Sequence, residues 1–343
     1  MAAPRCPRCD HFAFLDDLVC RECGTELGFH HPSLRYHVAD PAGVEVGGMR
    51  WFPCGNRPWG CNWLVAEDAG TGRCFSCSTS RRLPPQSDTV AWEKLADAGV
   101  AKRRLMVQLL QLGLPIVPYY EREGGLGFDL LSSLSEGAPV MIGHANGIIT
   151  IDLAETLDAR REALRVSLGE QYRTMLGHFR HEIGHYYQNV LLTDEAVWDE
   201  CRALFGDERA SYRDALDRHY RVGAPDDWRD SFISEYATMH PWEDFAECFA
   251  HYLHIRATLD TAASAGMVLD AERAARIVDH DVVPASAYGD AERMLDDWQW
   301  VSLFFNRVNR AMGQRDLYPF ELPPPVHAKL GFIHRIITER SAA

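Results

Sequence analysis

The chain of 343 residues is 46% hydrophobic and 24% charged, which suits one sizeable core with small attachments and excludes a disordered chain. Its formal charge of -14 disfavours broad electrostatic binding to nucleic acid or to an acidic membrane surface and points to a peptide or protein partner. No stretch reaches the roughly 20 apolar residues of a membrane helix, and Met1-Ala2-Ala3-Pro4-Arg5-Cys6 lacks a signal core, so no membrane association and a cytoplasmic location are expected.

Eight of the ten cysteines lie within the first 77 residues, in short-spaced sets. Cys6-x2-Cys9 followed by Cys20-x2-Cys23 is a four-thiolate zinc signature, because each CxxC turn aims two thiolates at one tetrahedral ion. Cys54-x6-Cys61 with Cys74-x2-Cys77 supplies a second, looser set of four. A disulfide framework is the competing reading, and it would need an oxidising compartment. Cys201 and Cys248 stand singly in helical sequence, where a buried free thiol is the default. Residues 1–85 therefore read as a zinc-ribbon-like region with two four-cysteine sites, in which metal replaces a core. Arg81-Arg82-Leu83-Pro84-Pro85-Gln86-Ser87 reads as a linker, and residues 86–343 form the larger domain.

Within that domain, Trp92 to Leu112 has helical periodicity. Two apolar runs, Pro139 to His144 and Gly147 to Ile151, flank Asn146-Gly147, the dipeptide that best favours a tight hairpin. Beyond it the sequence predicts helices over about 154–168, 170–192, 207–221, 241–257, 269–278, 289–312 and 325–339. The fold class is α+β: zinc-ribbon modules followed by a mostly helical domain with a short hairpin or sheet.

His181-Glu182-Ile183-Gly184-His185 is an HExxH pattern, and on a helix the spacing of four brings both imidazoles to one face. The phase fits: Tyr172, Met175, Leu176, Phe179, Ile183, Tyr186 and Val190 form an apolar stripe, with His178, His181, His185 and Gln188 opposite. A zinc hydrolase site needs a third protein ligand and a position left for water. Pro241 opens a later helix on which Trp242, Phe245, Phe249 and Tyr252 share one face and Glu243 and Glu247 the other. The two helices are expected to pack on their apolar backs and present two histidines and two carboxylates to a common cleft.

An HExxH with a later Glu-bearing helix is the gluzincin pattern. More closely, the chain resembles the bacterial family of zinc-binding metallopeptidases with an N-terminal zinc ribbon. The segments that carry the resemblance are Leu176 to Tyr187, Tyr236-Ala237-Thr238 leading into His240-Pro241-Trp242-Glu243-Asp244, Cys61-Asn62-Trp63-Leu64, and Asp316-Leu317-Tyr318-Pro319-Phe320, so it spans nearly the whole chain. It implies a zincin-like fold, with His181, His185 and Glu243 as ligands of a catalytic zinc and Glu182 as general base toward a zinc-activated water. Glu247 and His178 would support the ligands from behind; a carboxylate at 247 can fix the tautomer of a ligating histidine. Tyr236 matches a tyrosine that lethal-factor-type enzymes aim at the developing oxyanion, though a packed tyrosine explains it equally. His240 reads as an alternative ligand, an oxyanion donor, or the cap of the helix behind it. The family pattern often continues Tyr-Tyr-Trp-Asp; Gln188 and Asn189 stand there instead, a change expected to bear on cleft shape and substrate choice.

The expectation is a zinc metallopeptidase that cleaves a peptide or peptide-like amide and holds one catalytic and two structural zinc ions. The strand at Gly147 to Ile151 precedes the motif helix as the substrate-binding edge strand does in zincins, where an extended peptide could add to it. The competing reading is a non-catalytic, zinc-stapled adaptor recruiting a protein partner through its ribbons. Glu182 argues against it, because a structural site has no use for a base. Nucleic-acid binding would draw on Arg5, Arg8, Arg21, Arg73, Arg81 and Arg82, and the overall charge disfavours it.

Overall fold

In the computed structural model, which describes residues 4–156, 174–268, 270, 272 and 288–341, contacts gather the chain into two units, Ala2–Glu162 and Ala163–Ala343. In the first, the two CxxC turns of the Cys6, Cys9, Cys20 and Cys23 set close alike. The Cys6 amide donates to His11 O and the Cys20 amide to Thr25 O, at 2.9 and 2.8 Å. The residue after each second cysteine, Asp10 (φ 59°) or Gly24 (φ 71°), is left-handed, which folds the chain back over its sulfurs.

The strands that follow are short. β1 (Leu27–His30) and β2 (Arg35–Val38) form an antiparallel pair, while β3 (Val44–Val46), β4 (Met49–Pro53) and β5 (Leu64–Ala66) form an antiparallel sheet in that order. Asn62, fully buried, ties the pieces together. Its amide donates to Leu15 O at 2.8 Å, Asp17 O at 3.1 Å and the Tyr36 hydroxyl at 2.9 Å.

A four-stranded sheet completes this unit. It takes β6 (Ser80–Arg82), β7 (Gly127–Leu131), β9 (Ile148–Asp152) and β8 (Gly143–Ala145) in that order. Short helix α1 (Phe75–Ser78) precedes β6, α2 (Thr89–Gln111) separates β6 from β7, and α3 (Ser133–Glu136) follows β7. The hairpin forms about Asn146 (φ 46°) and Gly147 (φ 82°), the two left-handed residues of a type I′ turn.

Two expectations change here. Arg81 and Arg82 are not linker: they lie in β6, parallel to β7, and Arg81 is paired with the buried Asp129 at 2.5 Å. Nor is β9 an edge strand, since it pairs with β7 on one side and β8 on the other. From Ile148 to Thr150 both sides of its backbone are therefore taken, and a peptide adding there would have to displace β8.

The second unit is helical: α4 (Met175–Leu191), α5 (Glu195–Phe205), α6 (Tyr212–Val222), α7 (Pro241–Ser264), α8 (Ala291–Ala311) and α9 (Pro324–Ser341). Side chains of Thr174, Asp194, Ser211 and Asp290 cap α4, α5, α6 and α8 by accepting amides of the first turn. The sequence pattern does not predict α5. Most of the helix predicted over 154–168, nearly all of that over 269–278, and Tyr172 fall outside the described residues. No described helix is long and apolar enough to cross a membrane.

α7 is buried on successive residues from Glu243 to Ala246, hence on every face, and not on one stripe as its amphipathic pattern suggests. It meets α4 at Gly184. A Cβ there would lie 2.9 Å from the Cα and 3.1 Å from the carbonyl oxygen of Ala246, so only glycine admits this approach. The histidines and carboxylates therefore meet at the helix crossing itself. They are not presented from helices packed back to back.

Candidate functional site

Three clusters among the described residues can hold a metal ion: Cys6, Cys9, Cys20 and Cys23; Cys54, Cys61, Cys74 and Cys77; and His181, His185 and Glu243. All ten cysteines are free. The Sγ atoms of Cys6 and Cys23, of Cys9 and Cys20, and of Cys61 with both Cys74 and Cys77 are 3.6 Å apart. Bonded sulfurs would be about 2.05 Å apart, whereas four sulfurs about 2.3 Å from one zinc form a tetrahedron with edges of about 3.8 Å. Both sets fit zinc and neither is a disulfide.

The third cluster joins α4 to the first turn of α7. Glu243 Oε2 lies 2.9 Å from His181 Nε2 and 3.4 Å from His185 Nε2. The three ligand atoms fall within 4.8 Å of one another, and Glu243 Oε2 is buried without a well-directed hydrogen bond among the described residues. One carboxylate oxygen between two imidazole nitrogens suits a divalent cation of the zinc type, which takes nitrogen and oxygen donors.

Each member is held from behind. His181 Nδ1 pairs with Glu247 Oε1 at 2.7 Å, and Glu247 Oε2 accepts the Ser234 hydroxyl at 2.6 Å. Further along α7, His251 Nδ1 meets the Tyr318 hydroxyl at 2.7 Å. Asn306 clamps the Tyr318 backbone at both its amide and its carbonyl, at 2.8 and 2.7 Å, which gives the Asp316 to Phe320 segment a structural purpose. The His185 ring stacks on Trp242, with centroids 4.9 Å apart and planes 8° apart. Glu243 Oε1 accepts the Tyr212 hydroxyl at 2.9 Å.

The electrostatics follow from this enclosure. Burial works against a charged His181, but the carboxylates of Glu243 and Glu247 beside it hold its pKa well above the usual imidazole value. Burial likewise opposes ionisation of Glu243 and Glu247. The two histidines nevertheless keep Glu243 well below the usual carboxylate range, and the bond to His181 brings Glu247 to about 2. For Glu182 burial wins and the pKa is raised, although His181 and His185 oppose it. Its Oε2 is buried with no hydrogen-bond partner among the described residues.

The remaining candidates are placed differently. The Tyr236 ring lies 5.9 Å from that of His181. His240 is the cap of α7: Nδ1 accepts the Trp242 amide and Nε2 meets Ala210 O, both at 3.1 Å. With both nitrogens engaged, it is neither a ligand nor an oxyanion donor in this arrangement. His178, half-buried one turn before His181, is outside the cluster. Gln188 is buried against Cys201 Sγ of α5 at 3.9 Å, and Asn189 donates back to His185 O at 3.2 Å. Sequence reasoning missed Tyr212 and Ser234, which lie on other elements and carry no periodic signal toward the site.

A family described as putative zinc-binding metallo-peptidase matches residues 90–336, and a zinc-ribbon domain matches residues 4–88. Uncharacterized proteins of Mycobacterium bovis and of two strains of Mycobacterium tuberculosis are each 45% identical over 338 residues, covering 97% of this chain and 94% of theirs. No solved structure matches. The ribbon's cysteine clusters, the helical unit that follows them in the chain and the match over residues 90–336 agree: the chain belongs to the putative zinc-binding metallo-peptidase family.

Proposed function

We propose that the protein is a gluzincin-like zinc metallopeptidase that hydrolyses a peptide or peptide-like amide, with His181, His185 and Glu243 as ligands and Glu182 as general base. The observation that carries this is the convergence of those three ligand atoms beside a buried glutamate with an unpartnered oxygen. Zinc held there would acidify a coordinated water and polarise the scissile carbonyl. Glu182 receives a proton at Oε2 and returns it to the leaving amine, a task for which a burial-raised pKa suits it. Glu247, ionised, keeps His181 turned with Nε2 toward the ion. Tyr236, its ring beside that of His181, would donate to the oxyanion. The two four-cysteine sets hold structural zinc, for three ions in all, and the ribbons offer a surface for a protein partner. Thiolate sites of this kind suit the reducing cytoplasm.

Glu182→Gln tests the assignment, because it keeps the shape and removes the base. Zinc content should stay at the wild-type level while turnover falls by about 10²-fold or more. New N-termini mapped across a proteome, produced by wild type and missing with the variant, would identify the substrates. A variant that cleaves as fast as wild type refutes the catalytic role.

A further inference from the structure

We propose that Tyr212 is the positioning residue of this metal centre: its hydroxyl engages one oxygen of Glu243, so that the carboxylate offers only the other to the ion. Glu243 is the third residue of α7, a position from which glutamate ordinarily folds back to the N-cap amide. Here Oε1 accepts the Tyr212 hydroxyl at 2.9 Å, and Oε2 is left 2.9 and 3.4 Å from the two imidazole nitrogens.

Tyr212 is itself fixed. Its ring packs on His240, the α7 cap, with centroids 5.3 Å apart. Arg218, further along α6, donates to Met239 O at 3.2 Å, so α6 is fastened to the approach of α7 on both sides of that cap.

A glutamate with one oxygen so engaged binds a cation through the other alone. Three single-atom ligands leave zinc's fourth position open, as hydrolysis requires. Without the hydroxyl, Glu243 is free to turn and offer both oxygens, which adds a ligand atom and crowds that position. The inference rests on the proposed metal site, although not on the identity of any substrate.

Tyr212→Phe isolates the hydroxyl, because the phenyl ring keeps its packing on His240. In the full-length protein with ribbon zinc retained, zinc affinity of the labile site should fall about ten- to a hundredfold by chelator competition. Cobalt exchanged into that site should show weaker visible absorption than in wild type, as coordination rises above four. Tyr236→Phe, which leaves the Tyr212 bond intact, should keep wild-type affinity. Wild-type affinity and spectrum in Tyr212→Phe overturn the assignment while leaving the metal site standing. Only two zinc equivalents in the wild type would overturn both. Turnover by Glu182→Gln would remove the catalytic reading and leave the affinity comparison to decide for Tyr212.

Discussion

At the scale of single residues, the bond between His181 and Glu247 governs how protons compete with metal. In the metal-free site His181 carries a proton well above the usual imidazole pKa, against the effect of burial, because Glu243 and Glu247 flank it at 2.9 and 2.7 Å. Zinc requires neutral Nε2, so binding must expel that proton. Affinity at the labile site should therefore rise with pH through neutrality, by about tenfold per pH unit, and level off only once the raised pKa is passed. Glu247→Gln keeps a hydrogen-bonding group and removes its charge. It should lower the His181 pKa, reduce the protons released near pH 7 and weaken zinc binding about tenfold. Calorimetry in buffers of different ionisation enthalpy counts those protons, and an unchanged count in Glu247→Gln would dissociate the carboxylate from the histidine.

At the scale of elements, the site depends on how closely α4 and α7 cross. A methyl group at residue 184 would meet the Cα and carbonyl oxygen of Ala246 at 2.9 and 3.1 Å. Those are backbone atoms, which no side-chain exchange can move. Gly184→Ala should thus push the helices apart, destabilise the fold by about 1–3 kcal/mol and lose the labile zinc, as read by denaturant unfolding and metal analysis. Because the obstacle is backbone, Ala246→Gly should not rescue it. Restored stability in the double variant would place the clash elsewhere. Gly184 was legible in the sequence as part of the motif, but its closeness to Ala246 was not. Local pattern revealed what local spacing determines: the CxxC turns, the four-residue step from His181 to His185, and the Asn146-Gly147 hairpin. It hid what other elements decide. β6 carries Ser80, Arg81 and Arg82 and no apolar residue, and it is held by strand pairing and the ion pair to Asp129. α5 buries only Cys201 and Phe205, too few to imprint a period. The neighbours of β9 follow from sheet order, which no single strand encodes. Tyr212 reaches Glu243 from 31 residues away, through a contact that only folding creates.

At the scale of the whole molecule, the three clusters differ in how they would release metal. Each four-cysteine set surrounds its ion with four thiolates and leaves no position for a competing ligand, while the His181, His185 and Glu243 set leaves one. A chelator that attacks an open coordination position should therefore extract one zinc equivalent of three, with circular dichroism unchanged, because α4 and α7 stay packed through the Tyr187 ring stacked on that of Phe249. The other two ions should come out only under harsher chelation, together with the structure they support. β1 and β2 form a two-stranded pair of four residues each, and β3 to β5 are three to five residues long. Such strands are too short to be stable without a staple. Metal analysis of protein recovered at each stage gives the order of loss. Release of all three ions in one step, or extraction of a ribbon zinc first, would mean that the His181, His185 and Glu243 position is as closed as the thiolate sites, and a closed site has no room for a reacting water.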